Sequence, residues 1–470
     1  MDRAKTDKEN NLRNLFSQWA EEQATQIVKL PMSGSYREYY RITGSNITAI
    51  GVYNADHKEN IAFLSFTKHF YKKKLPVPEV YAEDLNKNIY LIQDLGDITL
   101  FSYLMDIQQD GAYPNDLLSL YKKVIDQIPK FQVLASEGLD YSVCYPRAAF
   151  DKQSMMWDLS YFKYYFLKLA KIPFDEQLLE DDFHKFTDYL LQADSHYFLY
   201  RDLQSRNIMI HDDQPYFIDY QGGRKGALQY DPASLLFDSK ANIPQGIRGQ
   251  LLEYYMDTLQ QFTPVDRDQF IQYFYGYALI RIMQAMGAYG FRGFYEKKEH
   301  FLDSIPFALK DLQTILKIID YPIDTPILFE TFQRLLESEE LKAIHKKKKA
   351  FTVWINSFSY RKGIPMDQSG EGGGYVFDCR SLSPVKPEYL TDSDSIDEKN
   401  ETASFLSHVY GIIDLSIKGH LEQKKNSLTV SFGCTQGQRR AVYCADRLAA
   451  YLNGKDDIDI SLSHKEMDNK

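Results

Sequence analysis

The spacing of apolar positions predicts a small mixed lobe at the start of the chain. Residues 47–53 (ITAIGVY) and 88–97 (NIYLIQDLGD) are rich in β-branched and aromatic side chains and end in turn formers, which indicates strands. Between them, residues 59–74 have apolar positions at helical spacing and stop before two prolines, which end the helix. With the charged helix expected before them, these segments form a predicted lobe over residues 1–100.

From residue 101 to 337 the helical period dominates, as in 155–171 (MMWDLSYFKYYFLKLAK). The strand pair that interrupts it is 207–211 (NIMIH) and 215–219 (PYFID), short enough to form a hairpin. We therefore predict a mainly helical lobe that encloses one hairpin. Residues 338–350 are polar and end in a basic run, HKKKK, which predicts a linker.

The period changes again after residue 350. Residues 352–360 (TVWINSFSY), 374–380 (GYVFDCR) and 427–433 (SLTVSFG) are strand-like, and 439–454 has the pattern of an amphipathic helix. Residues 351–470 are therefore expected to form a separate and smaller α/β domain.

Composition narrows the class of protein. The chain has 470 residues, 44% hydrophobic and 26% charged, with a net charge of −10, so nothing global indicates a nucleic-acid or membrane coat. Its four cysteines form no C-x-x-C pair and are too sparse for a disulfide framework. The start is charged, and the apolar stretch 274–291 is interrupted by Arg281, so no membrane span is expected. These features favour a cytoplasmic protein.

The hairpin region carries the candidate chemistry. Asn207 follows Asp202 by five residues, and Asp219 stands at the end of the next strand. Phosphoryl transfer needs a carboxylate at the attacking hydroxyl and oxygen ligands for the Mg²⁺ that neutralises the phosphates. We predict Asp202 as the catalytic residue and Asn207 and Asp219 as metal ligands. Alternatively, all three are structural, since Asp and Asn often cap turns and bond to the backbone.

The stretches YRDLQSRN, FIDYQGGRKG and LQYDPASLLFD resemble the signatures of the aminoglycoside phosphotransferase superfamily. Within it they are most similar to the anomeric N-acetylmuramate/N-acetylglucosamine kinases of cell-wall recycling, and the likeness covers about the first 335 residues. The resemblance implies an α+β, two-lobed protein-kinase-like fold that binds ATP and Mg²⁺ between its lobes. It also implies an amino-sugar acceptor, phosphorylated at its anomeric hydroxyl.

The same resemblance implies a nucleotide site in the first lobe. The chain departs from the family pattern at two places. The strand AIGVY in the first lobe has no lysine for the phosphates, and in the second lobe Tyr200 precedes Arg201 where kinases usually have His. Arg41, or Arg37 in the Ser/Gly turn, is the candidate phosphate partner, because a guanidinium binds phosphate through two hydrogen bonds. The cofactor-binding residues predicted are Ser33, Gly34, Ser35, Arg41 and the hinge residues Gln93, Asp94 and Leu95.

On the acceptor side we expect Arg201, and also Trp157 and Asp158, which lie in a region that lines the acceptor pocket in relatives. A buried aromatic helix face explains Trp157 equally well. Asp231 is a further candidate for substrate contact. However, Pro232 follows it at the start of a helical pattern, so the sequence favours Asp231 as the N-cap of that helix.

A second motif lies in the C-terminal domain, where a strand, a loop of small residues and a helix follow one another. This arrangement points backbone N–H groups at an anion. The predicted anion site comprises Gly433, Cys434, Gly437, Gln438, Arg439 and Arg440. Cys434 and Arg440 also have the C-x5-R spacing of cysteine phosphatases, but no general acid can be assigned, so catalysis here ranks third among the functions considered.

Residues 351–470 resemble the C-terminal domain of the RNase adaptor RapZ. The likeness rests on GCTQGQRRAV, SFSYRKGIPMD and YVFDCR, and it departs from the family pattern at Gln436, Arg439 and Ala441. It implies binding of an amino-sugar phosphate and a link to RNA regulation. A solvated connector nevertheless explains the run 345–349 better than RNA binding does.

Two classes of function therefore compete. The first is an ATP-dependent sugar kinase with a phosphosugar-sensing C-terminal domain, and its variant is another small-molecule hydroxyl kinase of the aminoglycoside or choline type. The second is a non-catalytic adaptor that links ligand sensing to RNA or protein. The complete set of Asp202, Asn207 and Asp219 favours the enzyme.

Overall fold

A computed structural model of the chain describes residues 2–31, 37–107, 114–319, 322–346, 351–365, 374–383, 401–423, 425–453, 455 and 458–467. It divides into two compact units, Met1–Lys342 and Ala343–Lys470. None of the helices in these ranges is long and apolar enough to cross a membrane.

The first lobe of the first unit is a five-stranded antiparallel sheet with two helices. The sheet has the order β1-β2-β3-β5-β4. The elements are α1 (Asp2–Ala20), β1 (Gln26–Lys29), β2 (Glu38–Thr43), β3 (Thr48–Tyr53), α2 (His57–Lys72), β4 (Val80–Asp84) and β5 (Ile89–Ile92). Helix α1 packs Leu12 and Phe16 onto Tyr40, Ile42 and the other buried residues of the sheet. Asp56 caps α2 by accepting hydrogen bonds from the N–H groups of its first turn, as expected at an N-cap.

The second lobe is mainly helical, as predicted. Its helices are α3 (Leu100–Ile107), α4 (Asn115–Ile125), α5 (Lys152–Phe162), α6 (Glu176–Leu190), α7 (Tyr230–Leu236), α8 (Gln245–Leu259), α9 (Arg267–Tyr289), α10 (Glu299–Leu302), α11 (Ile305–Ile318), α12 (Pro326–Glu337) and α13 (Glu339–Lys346). Helices α5 and α9 continue as π-helical turns, Lys163–Leu167 and Gly290–Tyr295. A Cβ at Gly290 would lie 1.9 Å from the Tyr165 carbonyl oxygen, so only glycine lets the two turns meet.

Two strand pairs lie within this lobe. The predicted hairpin is present as β7 (Ile208–His211) and β8 (Gln214–Phe217), in antiparallel register. The second pair, β6 (Tyr197–Leu199) with β9 (Arg224–Gly226), was not predicted, because three-residue strands carry no readable period.

The second unit is a parallel sheet with helices. Its elements are β10 (Phe351–Ser359), β11 (Gly374–Asp378), α14 (Glu401–Glu422), β12 (Ser427–Cys434), α15 (Arg440–Leu452) and β13 (Ile458–His464). The strand order is β11-β12-β10-β13, with every pair parallel. Helix α14 and strand β13 were not assigned from the sequence. The predicted fold class, a two-lobed α+β fold followed by a smaller α/β domain, is confirmed.

A buried carboxylate fixes the segment that enters the predicted active site. The Asp231 side chain is fully buried in the first turn of α7 and accepts hydrogen bonds from the N–H groups of Tyr200 (2.9 Å) and Arg201 (3.2 Å). The amide of Gln132 donates a third, at 3.1 Å. The prediction of Asp231 as an N-cap is wrong: Gln229 occupies that position, and the Asp231 carboxylate reaches across to another segment.

Burial raises the pKa of Asp231 to about 7, although the N–H donors of Tyr200 and Arg201 act in the opposite direction. A carboxyl whose pKa is raised in the folded state destabilises that state as the pH rises from its unfolded pKa of about 4 to about 7. We therefore expect the free energy of unfolding of the wild type, minus that of Asp231→Asn, to fall with pH in this window, by at most about 1.4 kcal/mol per unit. Urea unfolding over a pH series measures this difference, and a constant or rising difference would contradict it.

Candidate active site

Three predicted site residues converge at one end of the β7–β8 hairpin. Ile208 pairs with Phe217, and the Ile218 N–H donates to the Asn207 carbonyl at 3.1 Å, so Asn207 and Asp219, the residue after Ile218, emerge at the same end. The amide Nδ2 of Asn207 lies 3.3 Å from Asp219 Oδ2 and donates to the backbone carbonyl of Asp202 at 2.8 Å. Asn207 thus contacts both aspartates.

The side chains of Asn207 and Asp219 carry oxygen donors of the kind that a hard divalent cation binds. Asp219 offers a carboxylate that also accepts a 2.7 Å hydrogen bond from Gln221, and Asn207 offers its amide oxygen. Burial raises the pKa of Asp219, while nearby Arg37 acts to lower it. The part of the chain that the structure describes contains no group of three or more His, Cys, Asp or Glu side chains that could hold a metal ion. Two protein oxygens suit Mg²⁺, which keeps waters and takes phosphate oxygens as its other ligands.

An arginine lies between this pair and helix α2. The guanidinium of Arg37, with only 2% of its side chain exposed, is 3.2 Å from Glu59 on α2 and 3.7 Å from Asp219. Glu59 also accepts a 2.6 Å hydrogen bond from Asn54. A cation beside Asp219 and a helix glutamate is what a kinase lysine on the strand would provide. Glu59 was not among the predicted site residues. The sequence marks it only by its place in the first turn of α2.

The other candidate arginine is engaged elsewhere. Arg41 donates two hydrogen bonds to Asp94, at 2.6 and 3.0 Å, and two to Asp97, at 3.0 and 2.9 Å. It therefore braces the predicted hinge. In that segment the Gln93 N–H donates to the Glu79 carbonyl at 2.9 Å, and Leu95 is buried. Ser33, Gly34 and Ser35 lie outside the described residues.

A column of aromatic rings runs behind the site. Phe63 of α2 stacks on Tyr90 and on Tyr220, with 5.3 Å between centroids in both cases. Tyr220 also meets Tyr200 edge-on at 5.9 Å, and its hydroxyl is 2.6 Å from that of Thr67. Tyr200 precedes Arg201 in the chain and Tyr220 follows Asp219, so the column contains the chain neighbours of two predicted site residues. This column could not be predicted from the sequence, because the four rings come from distant segments.

The predicted acceptor side contains a buried ion pair. Arg201 donates to Asp158 at 2.7 Å and to the Tyr230 hydroxyl at 2.8 Å. The second carboxylate oxygen of Asp158 is buried and has no hydrogen-bond partner among the described residues. Trp157 is 48% exposed, with the guanidinium of Arg147 5.7 Å from its ring. Arg201 and Asp158 thus lie together next to Asp202, with Trp157 at the surface beside them.

In the second unit, β10 and β12 end side by side at the predicted anion loop. Ligands of open parallel sheets bind at such carboxyl ends, where the strand order reverses. A Cβ at Gly433 would lie 2.5 Å from ring atoms of Phe358 and Tyr360, so this position admits only glycine. Gly437 has φ +68° and donates its N–H to the Cys434 sulfur at 3.1 Å.

The two arginines of this loop differ in their contacts. Arg440 donates to the carbonyls of Arg380 and Leu382, at 2.7 Å in each case. These bonds connect the segment that follows β11 to the start of α15. Arg439, the N-cap of α15, is exposed, as is Gln438. The Cys434 side chain is buried, which disfavours its use as a nucleophile.

Comparison with known proteins gives two domain matches. Residues 34–268 match the model of the phosphotransferase enzyme family, and residues 351–468 match that of the RapZ C-terminal domain. Among curated proteins, the nucleotide-binding protein SAR0820 of Staphylococcus aureus (strain MRSA252) is 28% identical over an alignment of 185 residues that covers 36% of this chain. The match spans 56% of that relative, so this chain covers about half the length of the curated relatives.

Solved structures with a similar fold include two choline kinases. The choline kinase LicA from Streptococcus pneumoniae is 14% identical, with a TM-score of 0.45 over 65% of this chain and 99% of the other. The choline kinase from Cryptosporidium parvum Iowa II is 11% identical, with a TM-score of 0.46 over 66% and 93%. Since the phosphotransferase match alone spans half of its residues, the chain belongs to the phosphotransferase enzyme family.

Proposed function

We propose that the chain is an ATP-dependent sugar kinase that phosphorylates an N-acetylated hexosamine, N-acetylmuramate or N-acetylglucosamine, at its anomeric hydroxyl. Family membership supports the phosphoryl transfer, and the sequence resemblance described above supports the acceptor. In this proposal residues 1–100 hold the nucleotide, residues 101–337 hold the sugar, and the protein acts in the cytoplasmic salvage of cell-wall sugars.

The observation that carries the proposal is the convergence of Asp202, Asn207 and Asp219. Two hydrogen bonds of Asn207 join the segment of Asp202 to the carboxylate of Asp219. A structural role for all three residues would not require an acidic side chain at position 202, since only the Asp202 backbone carbonyl is used in these contacts. The Asp202 carboxylate is left for the acceptor.

Asp202 would act on the acceptor hydroxyl. As the hydroxyl oxygen bonds to the γ-phosphorus, its proton passes to a carboxylate oxygen of Asp202, and the bond from that phosphorus to the bridging oxygen breaks, leaving ADP. Asn207 and Asp219 would hold Mg²⁺. When bound, this ion neutralises charge on the phosphate oxygens.

Arg37 is the residue that best replaces the missing strand lysine. It lies beside Asp219, where the phosphates must come if Asp219 holds their metal ion. Arg41 instead holds the carboxylates of Asp94 and Asp97 at the hinge, where adenine would bond to the backbone of Gln93 and Leu95. We therefore assign the phosphates to Arg37 and the hinge geometry to Arg41.

The C-terminal unit would sense a hexosamine phosphate. Its loop has backbone donors at the start of α15 and two guanidinium groups that are adjacent in the chain, those of Arg439 and Arg440. Helix-terminus and charge-assisted hydrogen bonds both strengthen with negative charge, so a dianionic phosphate fits this loop better than a neutral sugar does.

The first prediction separates the base from the metal ligands. Asp202→Ala should lower kcat by about 10²- to 10⁴-fold, the usual contribution of a general base, and leave the affinity for ATP with Mg²⁺ nearly unchanged. Asn207→Ala and Asp219→Ala should weaken nucleotide binding only when Mg²⁺ is present. Coupled assays over a panel of amino sugars, choline and aminoglycosides, with calorimetry for the nucleotide, measure both effects.

The exposed Asp268 on α9 supplies a control, since Asp268→Ala should leave both quantities unchanged. Full turnover by Asp202→Ala would refute the mechanism. Turnover of choline or an aminoglycoside but of no amino sugar would identify a different hydroxyl kinase, and nucleotide binding without any turnover would favour the adaptor.

The second prediction distinguishes the two arginines of the first lobe. Arg37→Met should reduce the affinity for ADP by about tenfold or more, because a charge-assisted contact to phosphate is lost, and should leave the affinity for adenosine unchanged. Arg41→Met should weaken ADP and adenosine by similar factors, since it disturbs the hinge. If Arg41→Met alone discriminates between the two ligands, Arg41 is the phosphate partner.

The third prediction concerns the anion loop. The full chain should bind a hexosamine phosphate more tightly than the unphosphorylated sugar, and Arg440→Ala should remove most of this preference. Arg439→Ala should lower it without changing Tm, because Arg439 is exposed. Arg447→Ala, on the same helix, is the control. Calorimetry that finds equal affinities for the two sugars, or an unaltered Arg440→Ala variant, would disprove the sensing role.

A further inference from the structure

Arg224, a buried arginine near Asp202, has no role in the function proposed so far. Arg224 begins strand β9, where its side chain points inward and only 6% of the residue is exposed, whereas its neighbour Lys225 points to solvent. The short pairing of β9 with β6 fixes it there, with Leu199 opposite Arg224. Arg224 is therefore a buried cation on a rigid element.

The hydrogen-bond partners of Arg224 are neutral. Its Nε donates to the carbonyl of Gly222 at 2.9 Å and its Nη2 to that of Tyr145 at 3.4 Å. No carboxylate of the described residues lies within 4.0 Å of its guanidinium, in contrast to Arg201 and Arg248, which pair with Asp158 and Asp311. Burying a cation without an anion is costly, and a fold that keeps one is expected to use it.

One donor of this guanidinium remains open. Nη1 of Arg224 has no hydrogen-bond partner among the described residues, and it is not sequestered from solvent. Nη1 keeps both of its N–H groups and Nη2 keeps one, so the edge that these two nitrogens share can donate to an oxyanion through two parallel N–H groups.

The position of Arg224 points to the reacting groups. Its Nε bonds to Gly222, and a Cβ built on Gly222 would lie 3.7 Å from Asp202 Oδ2 and 3.8 Å from Arg201 Cγ. Burial and the neighbouring Arg201 lower the pKa of Arg224, whereas the charge of Asp202 acts to raise it. The side chain remains a cation, because arginine does not lose its proton in proteins.

We propose that Arg224 binds an oxyanion that arrives at Asp202 during the reaction. This inference rests on the proposed function, which brings two such groups to Asp202: the γ-phosphoryl group of ATP and, when the sugar is an acid, the carboxylate of the acceptor. Both are planar or tetrahedral oxyanions that fit the guanidinium fork, and the experiment tells them apart.

The test compares ligand affinities of the full chain in wild type, Arg224→Met and Lys225→Met. One arm takes the affinity ratio of AMP-PNP to ADP, each with Mg²⁺, and reports on the γ-phosphoryl group. The other takes the ratio of N-acetylmuramate to N-acetylglucosamine, which differ by a carboxylate. Calorimetry gives both ratios without turnover, so the result does not depend on the kinase activity being found.

Arg224→Met should lower one of these ratios by about tenfold or more, the usual effect of losing a charge-assisted hydrogen bond, and that arm names the source of the oxyanion. Lys225→Met, on the opposite face of the same strand, should change neither ratio. Arg224→Lys should restore part of the loss. Because it removes a buried, unpaired charge, Arg224→Met should also keep or raise Tm. Two unchanged affinity ratios, whatever the Tm, would overturn the proposal.

Discussion

The geometry of residues 200–202 depends on the hydrogen bonds that the Asp231 carboxylate accepts. This carboxylate accepts the backbone N–H groups of Tyr200 and Arg201, and Arg201 is held at φ +83°, a conformation that non-glycine residues rarely adopt. That turn directs the Arg201 side chain towards Asp158 and leaves the next residue, Asp202, at the site. A strained backbone persists only when its surroundings over-determine it, and here a fully buried acceptor does so.

The second constraint is the aromatic column, which connects α2 to the segments that contain Tyr200 and Tyr220. Phe63 lies one helical turn beyond Glu59, so the stacking of Phe63 on Tyr220 also sets the position of Glu59 relative to Asp219. Arg37 then spans the remaining gap between the two carboxylates. Ring packing and ion pairing thus act on the same two elements, and together they place Arg37 beside Asp219.

The sequence could predict what depends on local spacing and not what depends on distant partners. The hairpin that brings Asn207 to Asp219 follows from a strand period of two and a short turn, and it is present as expected. Asp231 looked like a helix cap, because its bonds to residues 30 positions away leave no mark on the neighbouring sequence. The contacts of Arg37 with Glu59 and of Arg41 with Asp94 likewise join segments that local patterns do not connect.

Under the proposed function both units bind phosphate, which bears on why one chain contains both. The first unit has Arg37 beside Asp219, and the second has Arg439 and Arg440 at the start of α15. If the first unit makes a sugar phosphate, its product has the charge that the C-terminal loop favours. The units are then linked by a shared ligand, and this link needs no contact between them. Such coupling requires only that the ligand bind two states of the second unit with different affinity, since a ligand that binds both equally shifts nothing.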